Sequence, residues 1–442
     1  MNINYRNKHL LILSLSVSML SSFAQENKKL SLDEALNLGL ENSKTLKLSQ
    51  KKIDEAVSVY NQSKDAQLPT AKAGITYNHA EIPSHTLQIG SSKPIELPKS
   101  ADAILGNLSV EQLIFGGNKL RYARESTDLL KKTAELNLDK DKEEISIAII
   151  KTYLNLYKLQ VSQAVVRQNI VAIDKQITQT QRFFEQGLVT KNDLLRLQLQ
   201  KANIELTRLD ILKNENIVNY DLDILLGFPQ EQKIETTKSE TSISKNGSLA
   251  SYIALALNNR QEIKQADNQV KLEDINLKSV KSNLLPTLGL GISAYYINPN
   301  GSFIPKEQQF IAPISAAANL SWNFGNLWTN KHKVTEASIR KDESLIHKEM
   351  YVDKLKSEVN ESFQNYDLAI QKIAIIQTSV DQAEENDRIV QSKYTNSTAS
   401  ITDRIDANTQ LFQTKINLEL AKADAQLAYY DLLKSSGQLF TK

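Results

Sequence analysis

A mainly α chain that carries membrane β-strands is the fold class the sequence predicts, and three observations predict it. Helix breakers are confined to a few segments, the chain repeats itself at a fixed spacing, and four stretches of alternating hydrophobicity fall inside the breaker-rich parts. The 14 Gly and 9 Pro leave 118–186, 188–226 and 326–436 free of both. Such intervals can be helix throughout.

The chain opens with Arg6 and Lys8, an apolar run from Leu10 to Leu20, and Ser22-Phe23-Ala24. This is the three-part layout of a cleaved secretory signal over 1–24, and the run is too short to cross a bilayer as a helix. The chain is therefore expected to be exported. It contains no Cys, which removes disulfides, thiolate nucleophiles, soft metal ligands and a lipid-bearing N-terminal cysteine together. The 53 Lys and Arg and 51 Asp and Glu become equal once Arg6 and Lys8 are cleaved off, so no nucleic-acid partner is expected.

Ser31 followed by Glu34 forms a capping-box pattern for the first helix. Two alternating stretches follow at about 70–80 and 104–115, then a long helix over 118–186, a turn at 187–190 and a helix over 190–226. At about 1.5 Å per residue the 118–186 run would reach roughly 100 Å. Residues 44–68 and 190–226 add up to nearly the same helical length.

A shift of 217 places lays Leu68-Pro69-Thr70 on Leu285-Pro286-Thr287 and Asn42 on Asn259; a shift of 210 lays Asp193 on Asp403, Tyr220-Asp221-Leu222 on Tyr430-Asp431-Leu432 and Gly227 on Gly437. Two homologous halves are expected at 25–227 and 249–437, joined by a 228–248 linker and followed by a 438–442 tail. The second half then has strands at about 287–297 and 313–324, a helix over 326–394, a turn at 395–400 and a helix over 401–436.

Helix 190–226 carries two apolar seams, Leu195, Leu199, Ala202, Leu206 and Leu209 on one side and Leu197, Ile204, Ile211, Val218 and Leu225 on the other. The second half repeats them with Ile416, Leu420, Ala423, Leu427 and Tyr430 beside Leu411, Leu418, Ala425 and Leu432. A helix in a wall has neighbours on both sides and needs two seams; helices in a bundle or solenoid can need them as well. Each alternating stretch has about the 9 to 11 residues of a tilted transmembrane strand. A soluble hairpin would alternate equally well. If the strands do span, four cannot close a barrel, and the chain must assemble with others.

No enzyme signature accompanies this pattern. The His residues are scattered, with His332 and His347 fifteen apart, and no phosphate loop, nucleophile elbow or dinucleotide fingerprint is present. No cofactor or metal is expected.

Leu30-Ser-Leu-Asp-Glu-Ala-Leu-Asn-Leu-Gly-Leu-Glu-Asn42 resembles the opening signature of TolC-type outer-membrane efflux proteins. So do Leu68-Pro69, Leu113-Ile-Phe-Gly-Gly117 before the long helix, and Phe184-Glu-Gln-Gly-Leu-Val-Thr-Lys-Asn-Asp-Leu-Leu195, the last two with counterparts at Asn323-Phe324-Gly325 and 394–405. The resemblance implies a homotrimer, with a 12-stranded outer-membrane β-barrel in lipid continuous with a 12-helix periplasmic α-barrel. It implies an exit duct served by a periplasmic adaptor and an inner-membrane pump of RND, ABC or MFS type. A soluble periplasmic coiled-coil adaptor or rod is the alternative reading.

The resemblance further places a gate at the periplasmic tip, with Asp403 and Asp406 narrowing it, Asp193 in the first hairpin and Tyr394 near the turn. Threefold rings of aspartates would favour cations and raise their carboxylate pKa values. Asp403 could instead serve only the first turn of its helix. The family's tip glycine is Ser397 here and its arginine is Ala399, which leaves Arg404 as a substitute. Gly187, Leu188 and Val189, with Ser397, match the tip that docks adaptors.

Overall fold

The computed structural model describes residues 28–81, 83, 86–96, 99–229, 232–238, 247–299, 312–396 and 398–440. The expected signal over 1–24 and the tip position Ser397 lie outside the described residues. The elements run β1 (Lys28–Leu30), α1 (Leu32–Asn42), α2 (Lys44–Asp65), β2 (Thr70–Glu81), β3 (Thr86–Leu87), β4 (Ile95–Glu96), β5 (Ser100–Phe115), α3 (Lys119–Glu185) and α4 (Lys191–Leu226). They continue with β6 (Ile234–Thr236), α5 (Leu249–Asn259), α6 (Gln261–Lys281), β7 (Thr287–Pro299), β8 (Ile314–Ser321), α7 (Asn326–Thr329), α8 (Lys331–Thr395) and α9 (Ile401–Ser435). They divide into two compact units.

The first unit holds the chain up to Lys47, Asp139–Arg260 and the chain from Lys354. Its main core gathers Ile149, Ile150, Tyr153 and Leu154 of α3, Leu222 and Leu226 of α4, and Leu30 and Ile234 beside them. Each such side chain contributes about 1.5 to 3 kcal/mol on burial. Ser31 caps α1 as its spacing predicts, taking the Glu34 N–H at 3.3 Å while Glu34 accepts the Ser31 N–H at 2.8 Å. β1 and β6 pair in parallel. Helix α3 grips β6: Gln160 donates to the Ile234 carbonyl at 2.7 Å and accepts from the Thr236 N–H at 3.0 Å. The Tyr153 hydroxyl reaches the Leu30 carbonyl at 2.7 Å and accepts the Thr237 N–H at 2.9 Å.

Helices α4 and α9 end alike. Gly227 and Gly437 have φ of 73° and 70°, a left-handed conformation that a side chain strains. A Cβ at Gly227 would lie 2.9 Å from the Asn42 Cβ, and one at Gly437 would lie 2.8 Å from the Asn259 Cβ. The two ends thus meet the two residues that the 217-place shift superposes.

The seams of α4 are unequally covered. Leu197 and Ile204 are buried against α3, whereas Leu195, Leu199, Ala202, Leu206 and Leu209 all face outward, Leu199 with 64% of its surface exposed. On α9 both seams are covered to some degree: Leu411, Leu418, Ala423, Ala425 and Leu432 are buried and Ile416, Leu420, Leu427 and Tyr430 half-buried. The two helices expected to be equivalent therefore differ in how much of each seam the chain itself covers. Ion pairs from Lys158 to Asp424 and from Lys151 to Asp431, one heptad apart, tie α3 to α9.

The second unit holds Leu48–Leu138 and Gln261–Asp353. Its four-stranded sheet has the order β2-β5-β7-β8, antiparallel throughout. The pairing stacks Ala71, Val110, Ile292 and Ala316 in one row and Ala73, Leu108, Ala294 and Ile314 in the next. On the opposite face run Thr70, Glu111, Gly291 and Ala317, then Lys72, Ser109, Ser293 and Ser315. Among the described residues nothing covers the apolar face, where Ile75 is 83% exposed. Among the described residues β2 and β8 are the edge strands.

Strand β5 begins at Ser100, earlier than the expected 104, because the whole of β2 pairs with it. β8 ends at Ser321, short of the expected 324. The Asn323 side chain accepts the Gly325 N–H at 3.1 Å in a local turn, and the Trp322 indole leaves the strand to donate to the Leu284 carbonyl at 3.0 Å. The expected 326–394 helix is divided at Asn330, whose amide donates to the Val280 carbonyl at 2.9 Å. Helix α2 stops at Asp65, before Pro69 and short of the expected 68. Asp267 and Asp274 of α6 pair with Lys348 and Lys341 of α8 at 2.6 and 2.7 Å. The two pairs are one heptad apart on both helices, so they form an antiparallel ladder.

Candidate functional site

Both hairpin turns lie in the first unit. Each arises from the same local chemistry, a helix stop followed by a capping box. At the first turn Gly187 adopts φ of 73°, its N–H reaches the Phe184 carbonyl at 2.9 Å, and the Leu188 N–H reaches that of Phe183 at 2.9 Å. Thr190 then caps α4, with its own N–H donating to Asp193 at 2.8 Å. Leu188 is 60% exposed. Val189 is half-buried, so only one of the two expected apolar side chains stands free at this tip.

At the second turn the Thr398 N–H closes onto the Lys393 carbonyl at 2.8 Å. Ser400 caps α9, and its hydroxyl and N–H donate to the Asp403 carboxylate at 2.7 and 3.0 Å. Within one chain these bonds hold the Asp403 carboxyl below its ordinary range. Within one chain Asp403 serves as the capping residue of its helix. Asp406, one turn further on, is exposed and takes no part in the cap. Asp193 is half-buried and is engaged in the equivalent cap of α4.

Arg404 does not project from the tip. It is 5% exposed and pairs with Asp387 of α8, bracing the second hairpin from inside. Tyr394 is buried as well. Its hydroxyl lies 2.8 Å from that of Thr180, and its ring packs at 6.2 Å from Phe183. This contact joins the first hairpin to the second. Arg196 to Thr402 at 2.9 Å and Gln200 to Thr409 at 3.1 Å add polar bonds between α4 and α9. The hairpins therefore meet near their turns through hydroxyls and amides as much as through apolar side chains.

Thr180 and Asp387 had not been singled out from the sequence. Thr180 continues the buried series Val166 and Ile173 at sevenfold spacing, so a polar residue on an apolar seam was the legible signal. Among the described residues, no group of three or more His, Asp or Glu could hold a metal ion. No helix there is long and apolar enough to cross a membrane.

Residues 252–438 match the outer membrane efflux protein family model. No curated protein sequence matches the chain. Among solved structures the chain is similar to the outer-membrane channel OprN, at 15% identity and a TM-score of 0.77 over 92% of this chain and 89% of that one. It is similar to the outer membrane protein VceC from Vibrio cholerae, at 17% identity and 0.76 over 92% and 96%. A third is the CmeC outer membrane channel of Campylobacter jejuni, at 14% identity and 0.75 over 92% and 86%. Residues 252–438 thus carry an outer membrane efflux protein domain, within a chain that has the fold of outer-membrane channel proteins over nearly its whole length.

Proposed function

We propose that three copies of this chain form a passive exit duct in the outer membrane, each contributing four strands to a closed barrel and four long helix segments to a periplasmic tunnel. The observation that carries this reading is the four-stranded sheet. Among the described residues one face is apolar and uncovered, the other carries Thr, Ser, Lys and Glu, and neither edge strand has a further partner. In water such a face and such edges would aggregate; in lipid an open edge costs several kcal/mol per unpaired group. Closure with other copies resolves both. Because β2 and β8 run in opposite directions, joining one copy's β8 to the next copy's β2 continues the antiparallel order.

The duct itself has no energy source, so a periplasmic adaptor and an inner-membrane pump of RND, ABC or MFS type would supply substrate, with Gly187 and Leu188 as the adaptor contact. The signal over 1–24 would be removed on export. The two-fold internal repeat is supported by the matched ends at Gly227 and Gly437 and by the paired capping boxes at Thr190 and Ser400.

The tip would act as the gate. Thr180 and Tyr394 hold the hairpins together, Asp387 and Arg404 keep the second hairpin rigid, and Asp406 presents charge to the opening. The purified protein in a planar bilayer should give discrete current steps without nucleotide. Absence of current both from it and from Tyr394→Phe would overturn the conduit reading. A soluble rod would leave the protein outside membrane fractions.

A further inference from the structure

Strand β6 is held on one edge by β1 and on the other by side-chain amides. Gln160 of α3 donates to the Ile234 carbonyl at 2.7 Å, while Asn219 of α4 accepts the Ile234 N–H at 2.9 Å and donates to the Gln232 carbonyl at 2.6 Å. Thr236 gives Gln160 its N–H at 3.0 Å and its hydroxyl at 2.7 Å. Two amides thus stand where a further strand would, and the grip on β6 depends on where their N–H groups are directed.

One turn before Asn219, Glu215 reaches the same cluster. It is half-buried, its Oε2 is closed to solvent without a hydrogen-bond partner, and the Gln160 amide that serves Ile234 also donates to its carboxyl. Arg167 of α3 and Lys233 beside β6 act on it through charge, without a hydrogen bond. Both line a cavity of about 1080 Å³ between α3, α4 and β6, where Asp221 and Glu235 are the other charged groups. Glu235 is itself paired with Lys29 at 3.6 Å. Burial outweighs Gln160 and the two cations and pushes the Glu215 carboxyl above its ordinary value of 4.5.

The second half has no such group. The 210-place shift lays Gln160 on Ile370, Glu215 on Ala425 and Asn219 on Tyr429, and Ala425 is fully buried. Packing of the helix pair is therefore met by apolar residues where no strand has to be held. The polar set accompanies β6, which belongs to the link between the two halves.

We propose that Glu215 is a proton-operated latch on β6. Ionised, with one acceptor oxygen unfilled and shut away from water, it competes with the Ile234 carbonyl for the Gln160 N–H groups and loosens the strand. Protonated, it loses that demand and carries an O–H of its own to donate, so Gln160 stays on Ile234 and Thr236. A carboxyl whose folded pKa stands above the unfolded value of 4.5 stabilises the fold below that value, and the contribution is lost as pH rises through the folded one. Acid therefore tightens the clasp and neutral surroundings relax it. The latch works within one chain, so it does not depend on how many copies assemble.

The test follows backbone amide exchange at 232–238 by mass spectrometry, on the full chain in detergent from pH 4 to pH 8, with each rate divided by that of the unfolded chain at the same pH. Wild-type protection is expected to be highest near pH 4 and to fall with rising pH by up to about tenfold per unit, the most that one proton allows. Glu215→Gln, neutral at every pH, should keep high protection without that fall, and Gln160→Ala should show low protection throughout. Wild-type protection that ignores pH, a fall in Glu215→Gln that matches wild type, or high protection in Gln160→Ala overturns the latch. Melting temperature gives a second reading: Glu215→Gln is expected to melt above wild type at pH 7.5 and level with it at pH 4. A variant that melts below wild type at pH 7.5, or does not fold, counts against the proposal.

Discussion

The hydroxyls of Thr180 and Tyr394 lie 2.8 Å apart in a buried contact that joins the long helix of the first hairpin to that of the second. Removing the phenol oxygen leaves the Thr180 hydroxyl without that partner but keeps the ring against Phe183. A neutral hydrogen bond contributes about 1 kcal/mol net, roughly a fivefold change in a two-state equilibrium. Tyr394→Phe is therefore expected to raise the open fraction up to about fivefold in single-channel recordings, with no loss of folded protein.

Asp403 and Asp406 are expected to behave differently. Asp403 is engaged by Ser400, so Asp403→Ala should lower local helix stability and change selectivity little. Asp406 is free of the cap, and Asp406→Ala should lower cation over anion preference while leaving thermal stability within experimental error. Reversal potentials under a salt gradient, set beside melting curves, separate the two.

Gly227 and Gly437 are left-handed and pressed against Asn42 and Asn259. Alanine at either position meets backbone strain and a close contact together, and each should destabilise the chain by about 1 to 3 kcal/mol. Thermal unfolding in detergent measures this. Replacement of Gly90, which also has positive φ but open space around it, should cost less.

Asp274 of α6 faces Lys278 and Lys341, whose hydrogen bonds hold its carboxyl below the ordinary value of 3.8. A lowered folded pKa stabilises the fold above the unfolded value, and that contribution is lost as pH falls through the folded one. Asp274→Asn should thus lower the melting temperature at neutral pH, and the difference from wild type should shrink below about pH 3.8. The group is partly exposed, so the effect should also weaken in high salt.

The long helices were legible because breakers are absent from them and the apolar seams have helical spacing; the first capping box and the sheet alternation were legible for equally local reasons. The break at Asn330 was not, since it depends on a bond to Val280 fifty residues away in the chain. Nor was the true end of β8, which a local Asn323 turn sets. At the tip, the sequence marks Tyr394 and Arg404 as lying beside the second turn. It did not foretell that Arg404 would turn inward to Asp387, because burial of a charge depends on a partner from the other helix. The unequal covering of α4 and α9 is likewise a property of packing order, which two equivalent seam patterns conceal.

The central claim is that several copies close one channel, and native mass spectrometry of the particle extracted from outer membranes tests it most directly. A single species of three chains, each shortened by the 1–24 signal, is the result expected. A chain that stays in the soluble fraction and has the mass of one copy would contradict the account.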